Sequence, residues 1–332
     1  MECAVITTYR CNARCQMCNS WANPSRQEEE FDPIILKKIP GKMKRLNVTG
    51  GEPTLRKDLM EILEILYPKT QKLELSTNGY FTKKLIAIGK RYPNIRIRIS
   101  VEGLPKLNDE LRRIKNGFDH ALHSILELRA LGLKDIGFAI VISDKNIFDL
   151  TYLYELCSSL GLEFSQSAMH NSFYFFKNDN KIENIEIVEE KMRQFIKILL
   201  SSKRKNLRLR IKDWFRAYIN AGLLRYMKGK ERAIPCYAGT ESFFVDPRGQ
   251  ILACNGSGEP WVMGDLRVQE FEEIWFSEQA NRVRNLVQNC QRNCWMTGSS
   301  VPAMRKNISK PLIWALSNKI RLLLKKEINA KI

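Results

Sequence analysis

The chain has 332 residues, 44% of them hydrophobic, enough to bury a large core and to build more than one domain. No stretch approaches the ~20 apolar residues of a membrane-spanning helix; nine cysteines behind an N-terminus without secretory-signal features argue against a disulfide framework, for a reducing cytoplasmic setting, and for metal or redox chemistry. The excess of 54 Lys and Arg over 36 Asp and Glu, a formal net charge of +18, draws polyanions such as nucleic acid or anionic membrane, or simply solvates the surface.

Strand-like runs at 3–7, 45–49, 72–76, 95–101, 136–142 and 162–167 alternate with amphipathic stretches at 32–38, 58–67, 81–91, 117–131 and 147–160. That alternation is the order of a parallel sheet with crossover helices. Six such units predict an α/β fold, a partial (β/α)6 TIM-like barrel over residues 1–170, with its chemistry where strands end and loops begin. Residues 171–235 read as a linker with helices at 186–200 and 211–226. Residues 236–300 read as a small domain rich in glycine and cysteine, with a hairpin (242–245 and 250–253) and a helix over 270–286. Residues 301–332 form a basic tail ending in a helix.

Cys11, Cys15 and Cys18 follow the first strand directly, so one loop can wrap three thiolates around a single inorganic centre. Structural zinc normally takes four protein ligands, whereas an iron–sulfur cluster tolerates the missing one and leaves an iron open to a small molecule. The second strand ends in Thr49-Gly50-Gly51-Glu52-Pro53, where glycines let backbone approach a ligand and Glu52 offers an acceptor; the bland alternative is a tight turn. The third ends in Ser76-Thr77-Asn78-Gly79 and the fourth in Ser100-Val101-Glu102-Gly103, both of which also serve as ordinary strand-end caps. Arg112, in RRIKNGFD, suits a bidentate pair with a carboxylate, with Arg113 beside it as a competitor. Asn146 follows the fifth strand, where it can serve as a helix cap. Gln166, His170 and Tyr174 fall at or after the sixth, as substrate contacts or structural hydrogen bonders.

Residues 8–18, TYRCNARCQMC, together with the Gly-Gly-Glu-Pro segment and the strand ends that follow, resemble the radical S-adenosylmethionine (SAM) superfamily. Met17 stands where an aromatic residue is more usual, Glu102 where Asp is, and Arg113 where Gly is. Over about residues 2–170 the resemblance implies that a [4Fe-4S] cluster on Cys11, Cys15 and Cys18 binds SAM through its open iron. It implies further that SAM contacts fall to Gly50, Gly51, Glu52, Thr77, Asn78, Ser100 and Arg112. The reduced cluster would split SAM to a 5′-deoxyadenosyl radical that takes hydrogen from substrate, with a flavodoxin or ferredoxin as electron donor. Glu102 and His170 are the candidates to act on substrate.

Cys236, Cys254, Cys290 and Cys294 make a second set, enough for a closed [4Fe-4S] site or for zinc, which spacing does not separate. The set resembles the twitch form of the SPASM domain, since only these four cysteines lie beyond Cys157, and implies an auxiliary [4Fe-4S] cluster. Cys3 and Cys157 read as core residues. The chain starts ten residues before Cys11, which leaves no room for a preceding peptide-recognition domain and tilts the expected substrate to a sugar, glycan precursor or small metabolite, dehydrogenated or epimerised. A maturase of a ribosomally made peptide is the alternative. A reading of another class is a non-catalytic iron–sulfur or zinc protein that carries electrons or binds nucleic acid. The 311–332 segment, apolar and basic by turns, packs on its own protein or lies on an anionic membrane.

Overall fold

The computed structural model describes residues 1–330 and residue 332. Six strands, β1 (Glu2–Ile6), β2 (Arg45–Thr49), β3 (Leu73–Thr77), β4 (Arg96–Ser100), β5 (Ile136–Ile142) and β6 (Glu163–Ala168), run parallel and lie side by side in chain order. Three more, β7 (Ser242–Val245), β8 (Gln250–Leu252) and β9 (Val262–Asp265), extend the same open sheet beyond β1. β7 pairs parallel with β1, then β8 and β9 turn back antiparallel. The cysteine-rich segment is thus continuous with the barrel sheet through main-chain hydrogen bonds. β9 escapes sequence reading because Val-Met-Gly-Asp is short and poor in β-formers.

The helices are α1 (Leu59–Leu66), α2 (Thr82–Arg91), α3 (Pro105–Arg112), α4 (Gly117–Ala130), α5 (Leu150–Ser159), α6 (Ile185–Leu200), α7 (Leu207–Met227), α8 (Phe271–Trp275), α9 (Glu278–Gln288), α10 (Thr297–Lys306) and α11 (Ser309–Leu323). The stretch expected at 32–38 is 3-10 rather than α, entered through Pro33 with the Asp32 carboxylate accepting from the Ile34 N–H. α3, which brings Arg112 to the site, goes unexpected because its sequence is mostly polar; Pro105 opens its first turn. The single helix expected over 270–286 is two, because Ser277 caps a new helix through its hydroxyl, which accepts from the Ala280 N–H at 3.0 Å.

Alternate residues of the central strands, Val5, Val48, Leu75, Ile97, Phe138 and Phe164 among them, are wholly buried. Cys3 and Cys157 sit in the same core, as expected of small apolar side chains. The rim where the strands begin is closed by buried charge: Arg45 pairs with Glu74 and Glu2, Arg96 and Arg98 with Asp135, and Lys212 and Arg216 of α7 with Glu163. The chemistry is left to the opposite rim. Burial by itself would raise the Glu74 carboxyl, but Arg45 and Arg98 outweigh it and hold the group down at about 2. A carboxyl depressed on folding stabilises the protein above its unfolded pKa and loses that contribution as pH falls through the folded one. Between about pH 4.5 and pH 2 this group is expected to remove on the order of 3 kcal/mol of stability. Urea unfolding at several pH values should show a flatter acid limb in Glu74→Gln than in wild type.

Gly222, inside α7, makes room for Trp295, the residue after Cys294: a Cβ there would stand 1.8 Å from the indole ring. Trp295 is buried against Tyr218, with ring centroids 6.0 Å apart, and fastens the cysteine-rich segment to the helical linker. Gly222→Ala is expected to cost about 2–3 kcal/mol by overpacking. A lowered melting temperature checks this, and an unchanged one would mean that α7 and Trp295 are free to part.

Candidate active site and the two cysteine centres

The cysteine loop leaves β1 under tight control. The Glu30 carboxylate accepts from the hydroxyls of Thr8 and Ser25 and from the Arg10 guanidinium, the last at 2.6 Å. Arg56 lies 3.5 Å from the same carboxylate and donates to the carbonyls of Thr7 (3.0 Å) and Phe31 (2.9 Å). Glu30 is invisible to sequence reading because it ends a run of three glutamates.

One cavity at the C-terminal ends of the strands is lined by Cys11, Cys15 and Cys18 together with Gly50, Gly51, Ser100, Glu102, Arg112 and His170. Met17, Trp21, Val141, Met169, Tyr174 and Phe175 complete its apolar part. Of these, Trp21, Val141, Met169 and Phe175 carry no sequence signal, being ordinary apolar residues that only the folded chain brings to this rim. Of the two neighbouring arginines, Arg112 lines this cavity, while Arg113 takes the left-handed backbone that ends α3 and lines an outer groove. One nitrogen of Arg112 donates to Glu102 at 3.0 Å, and the other Glu102 oxygen accepts from the Val141 N–H at 2.8 Å. Burial raises the Glu102 carboxyl while Arg112 opposes the rise. The His170 ring is held below its ordinary pKa by burial, contacts the Ala168 carbonyl at 3.0 Å through Nδ1, and packs edge-on against Phe175.

Three of the residues expected at this site stand behind it. Glu52 is fully buried and accepts from the Thr54 N–H (3.1 Å) and hydroxyl (2.5 Å), the Thr77 hydroxyl (2.7 Å) and the Asn78 N–H (2.7 Å). Asn78 in turn donates to Asn12, inside the cysteine loop, at 2.7 Å. Glu52, Thr77 and Asn78 therefore tie the ends of β2 and β3 to the loop and do not line the cavity, because their polar atoms are already occupied by the chain. Asn146 holds the turn after β5, accepting from the Ser143 N–H and donating to the Val141 carbonyl. Gln166 faces Asn220 of α7, away from the cavity.

Gly50 and Gly51 touch the cavity and also pack on the cysteine loop. The Gly51 N–H donates to the Thr8 carbonyl at 2.7 Å, the Glu52 N–H to the Arg10 carbonyl at 2.9 Å, and the Tyr174 hydroxyl covers the Gly50 carbonyl at 3.1 Å. A Cβ on Gly51 would lie 2.3 Å from the Arg10 carbonyl oxygen.

The donor sets suit iron–sulfur clusters. Burial pushes the Cys11 thiol up to about 12 and the Cys15 thiol up to about 11, so these sulfurs ionise when a metal supplies the compensating charge. Cys11, Cys15 and Cys18 line one cavity together, as the three protein ligands of a single polynuclear cluster must. Cys236, Cys254, Cys290 and Cys294 likewise line one second cavity with Arg232 and Arg292. Gly256 approaches the sulfurs of both Cys254 and Cys294, and its N–H points to Cys254 at 3.1 Å. Arg292 donates to the carbonyl of Asn171, just after His170, and the Phe173 N–H donates to the Ser257 carbonyl at 3.1 Å, so the two centres share a wall.

A family model for the radical SAM superfamily matches residues 5–157, and one for the SPASM iron–sulfur cluster-binding domain matches residues 236–295. Fe-coproporphyrin III synthase of Methanosarcina barkeri is 27% identical over 211 residues, 60% of this chain and 50% of that protein. Mycofactocin maturase MftC of Mycolicibacterium smegmatis is 25% identical over 254 residues, 74% of this chain and 62% of that one. The chain thus spans about half to three-fifths of the length of these curated relatives. Among solved structures, native anSMEcpe with bound AdoMet and Cp18Cys peptide shares the fold over 97% of this chain and 98% of its own, at a TM-score of 0.63 and 13% identity. Streptococcus suis SuiB bound to precursor peptide SuiA does so over 85% and 66%, at 0.61 and 17%. With one set of thiols under each matched region, each lining its own cavity, the chain belongs to the radical SAM superfamily, with a SAM- and [4Fe-4S]-binding core followed by a SPASM domain for an auxiliary cluster.

Proposed function

We propose that this protein uses SAM to take a hydrogen atom from a peptide substrate. The observation that carries the reading is the single cavity shared by three thiols, two backbone glycines and the Arg112–Glu102 pair. Cys11, Cys15 and Cys18 would hold the catalytic cluster, which when reduced supplies the electron that opens the sulfonium of SAM. Arg112, held by Glu102, has further N–H groups with which to fork a carboxylate. The Gly50 and Gly51 backbone and Ser100 offer acceptors and donors for the rest of SAM. Neutral His170, Met169, Phe175 and Trp21 would face substrate and exclude water, which protects a reactive carbon centre from side reactions.

A peptide now stands ahead of the sugar or small metabolite that the sequence suggested. MftC is a maturase by name, and the two solved structures compared above hold peptides. The space between the two cysteine cavities, lined by His170, Asn171, Asn180, Tyr226 and Arg292, is polar enough to meet peptide groups. Reconstituted anaerobically and reduced with dithionite, the protein should convert SAM to 5′-deoxyadenosine, and no conversion by cluster-loaded protein would overturn the reading. Release should rise with members of a synthetic peptide panel. Stimulation by nucleotide sugars and by no peptide would overturn the substrate class alone.

A further inference from the structure

α11 has two apolar faces, and the fold uses one. Pro311, Trp314, Ala315 and Asn318 are buried against the α6–α7 pair. On the other side Ile308, Leu312, Ile313, Leu316, Ile320 and Leu323 form an arc, each between 40% and 83% exposed. An exposed apolar stripe this long on one helix is more than the scattered single residues that any surface carries. Cations border it. Lys310 and Arg321 lie along one edge, Lys319 along the other, and Lys325 and Lys326 follow its end. Residues 301–332 hold eight Lys and Arg against one acid, Glu327. Lys319 donates to the Leu200 carbonyl at the end of α6 and lies 4.2 Å from the centroid of the Trp214 ring, which places the helix beside the α6–α7 turn. That turn adds Lys203 and Lys205, without ion-pair partners among the described residues, and the exposed Leu207.

We propose that this face docks on an anionic phospholipid bilayer, with the α11 arc entering the boundary between headgroups and acyl chains while the flanking lysines and arginines meet lipid phosphates. Apolar area plus a cationic border is the pairing that interfacial helices need. A second copy of the chain is the weaker fit, because stripe-to-stripe contact would bring Lys310, Arg321, Lys325 and Lys326 of two chains together. Nucleic acid would leave the apolar arc without a partner. The inference does not depend on the catalytic reading.

Flotation of the full chain with vesicles tests it. The protein should bind phosphatidylcholine vesicles containing about 30% phosphatidylglycerol at least about tenfold better than pure phosphatidylcholine, and lose that preference in high salt. The double variant Leu316→Glu, Ile320→Glu should bind at least about tenfold more weakly, with melting temperature and SAM cleavage unchanged. No binding to anionic vesicles would overturn the proposal, as would equal binding by the folded variant. So would a wild-type dimer by light scattering that the variant splits while vesicle binding stays the same. A second variant, Lys325→Glu with Lys326→Glu, leaves the arc intact and should remove the preference for anionic lipid.

Discussion

Gly51→Ala is expected to leave the strands folded and to slow SAM cleavage by roughly a hundredfold, the order of loss that an ångström of misplacement produces at a reacting centre. The added Cβ would meet three backbone atoms, the Arg10 oxygen at 2.3 Å, the Tyr9 oxygen at 2.7 Å and the Arg10 carbon at 2.8 Å. No rotamer change relieves a clash with main chain, so either the end of β2 or the cysteine loop must move. The loop is also pinned by Glu30 and Arg56, and the strand by its ladder, so the hydrogen bonds from Gly51 and Glu52 to Thr8 and Arg10 are what give way. Iron and sulfide content per chain, the rate of 5′-deoxyadenosine release and the melting temperature separate the effects. Wild-type cleavage in the variant would show that this close approach does not position the cysteines.

Glu52→Ala is expected to destabilise the protein by about 3–5 kcal/mol, because it strips acceptors from several donors in a site with no access to water. The Thr77 hydroxyl and the N–H groups of Thr54 and Asn78 would lose their partners together. Glu52→Gln keeps one acceptor oxygen and turns the other position into a donor facing donors, so a loss of about 1–3 kcal/mol is expected. Urea unfolding measures both. The contrast with a ligand role is direct: a carboxylate that only held SAM would, as Gln, weaken SAM binding and leave stability alone. A Gln variant with wild-type stability and poor SAM binding would return Glu52 to the cavity.

The parallel strands were legible because each is a short apolar run bounded by breakers, and all six fall within one residue of expectation at both ends. Elements whose sequence is weak by itself were not: α3, β9 and the break at Ser277 exist because neighbours hold them. The site divides in the same way. Cysteine spacing, the Gly-Gly-Glu-Pro turn and the arginine before α4 mark chemistry locally, since three thiols in one loop have few other uses. Which polar group faces the cavity is not local. Glu52, Thr77 and Asn78 look as available as Ser100 and Arg112 until Thr54, Asn12 and the main chain claim them.

By itself the sequence determined the superfamily, the two thiol sets and the order of the six parallel strands, because backbone periodicity and ligand spacing are properties of nearby residues. Only the tertiary structure decided that the cysteine-rich segment continues the barrel sheet through β7, that the Gly-Gly turn is braced on the cysteine loop, and that α11 keeps a second apolar face outward. Those outcomes depend on which surfaces far apart in the chain meet and exclude water, and contact between residues tens to hundreds of positions apart leaves no mark on either partner alone.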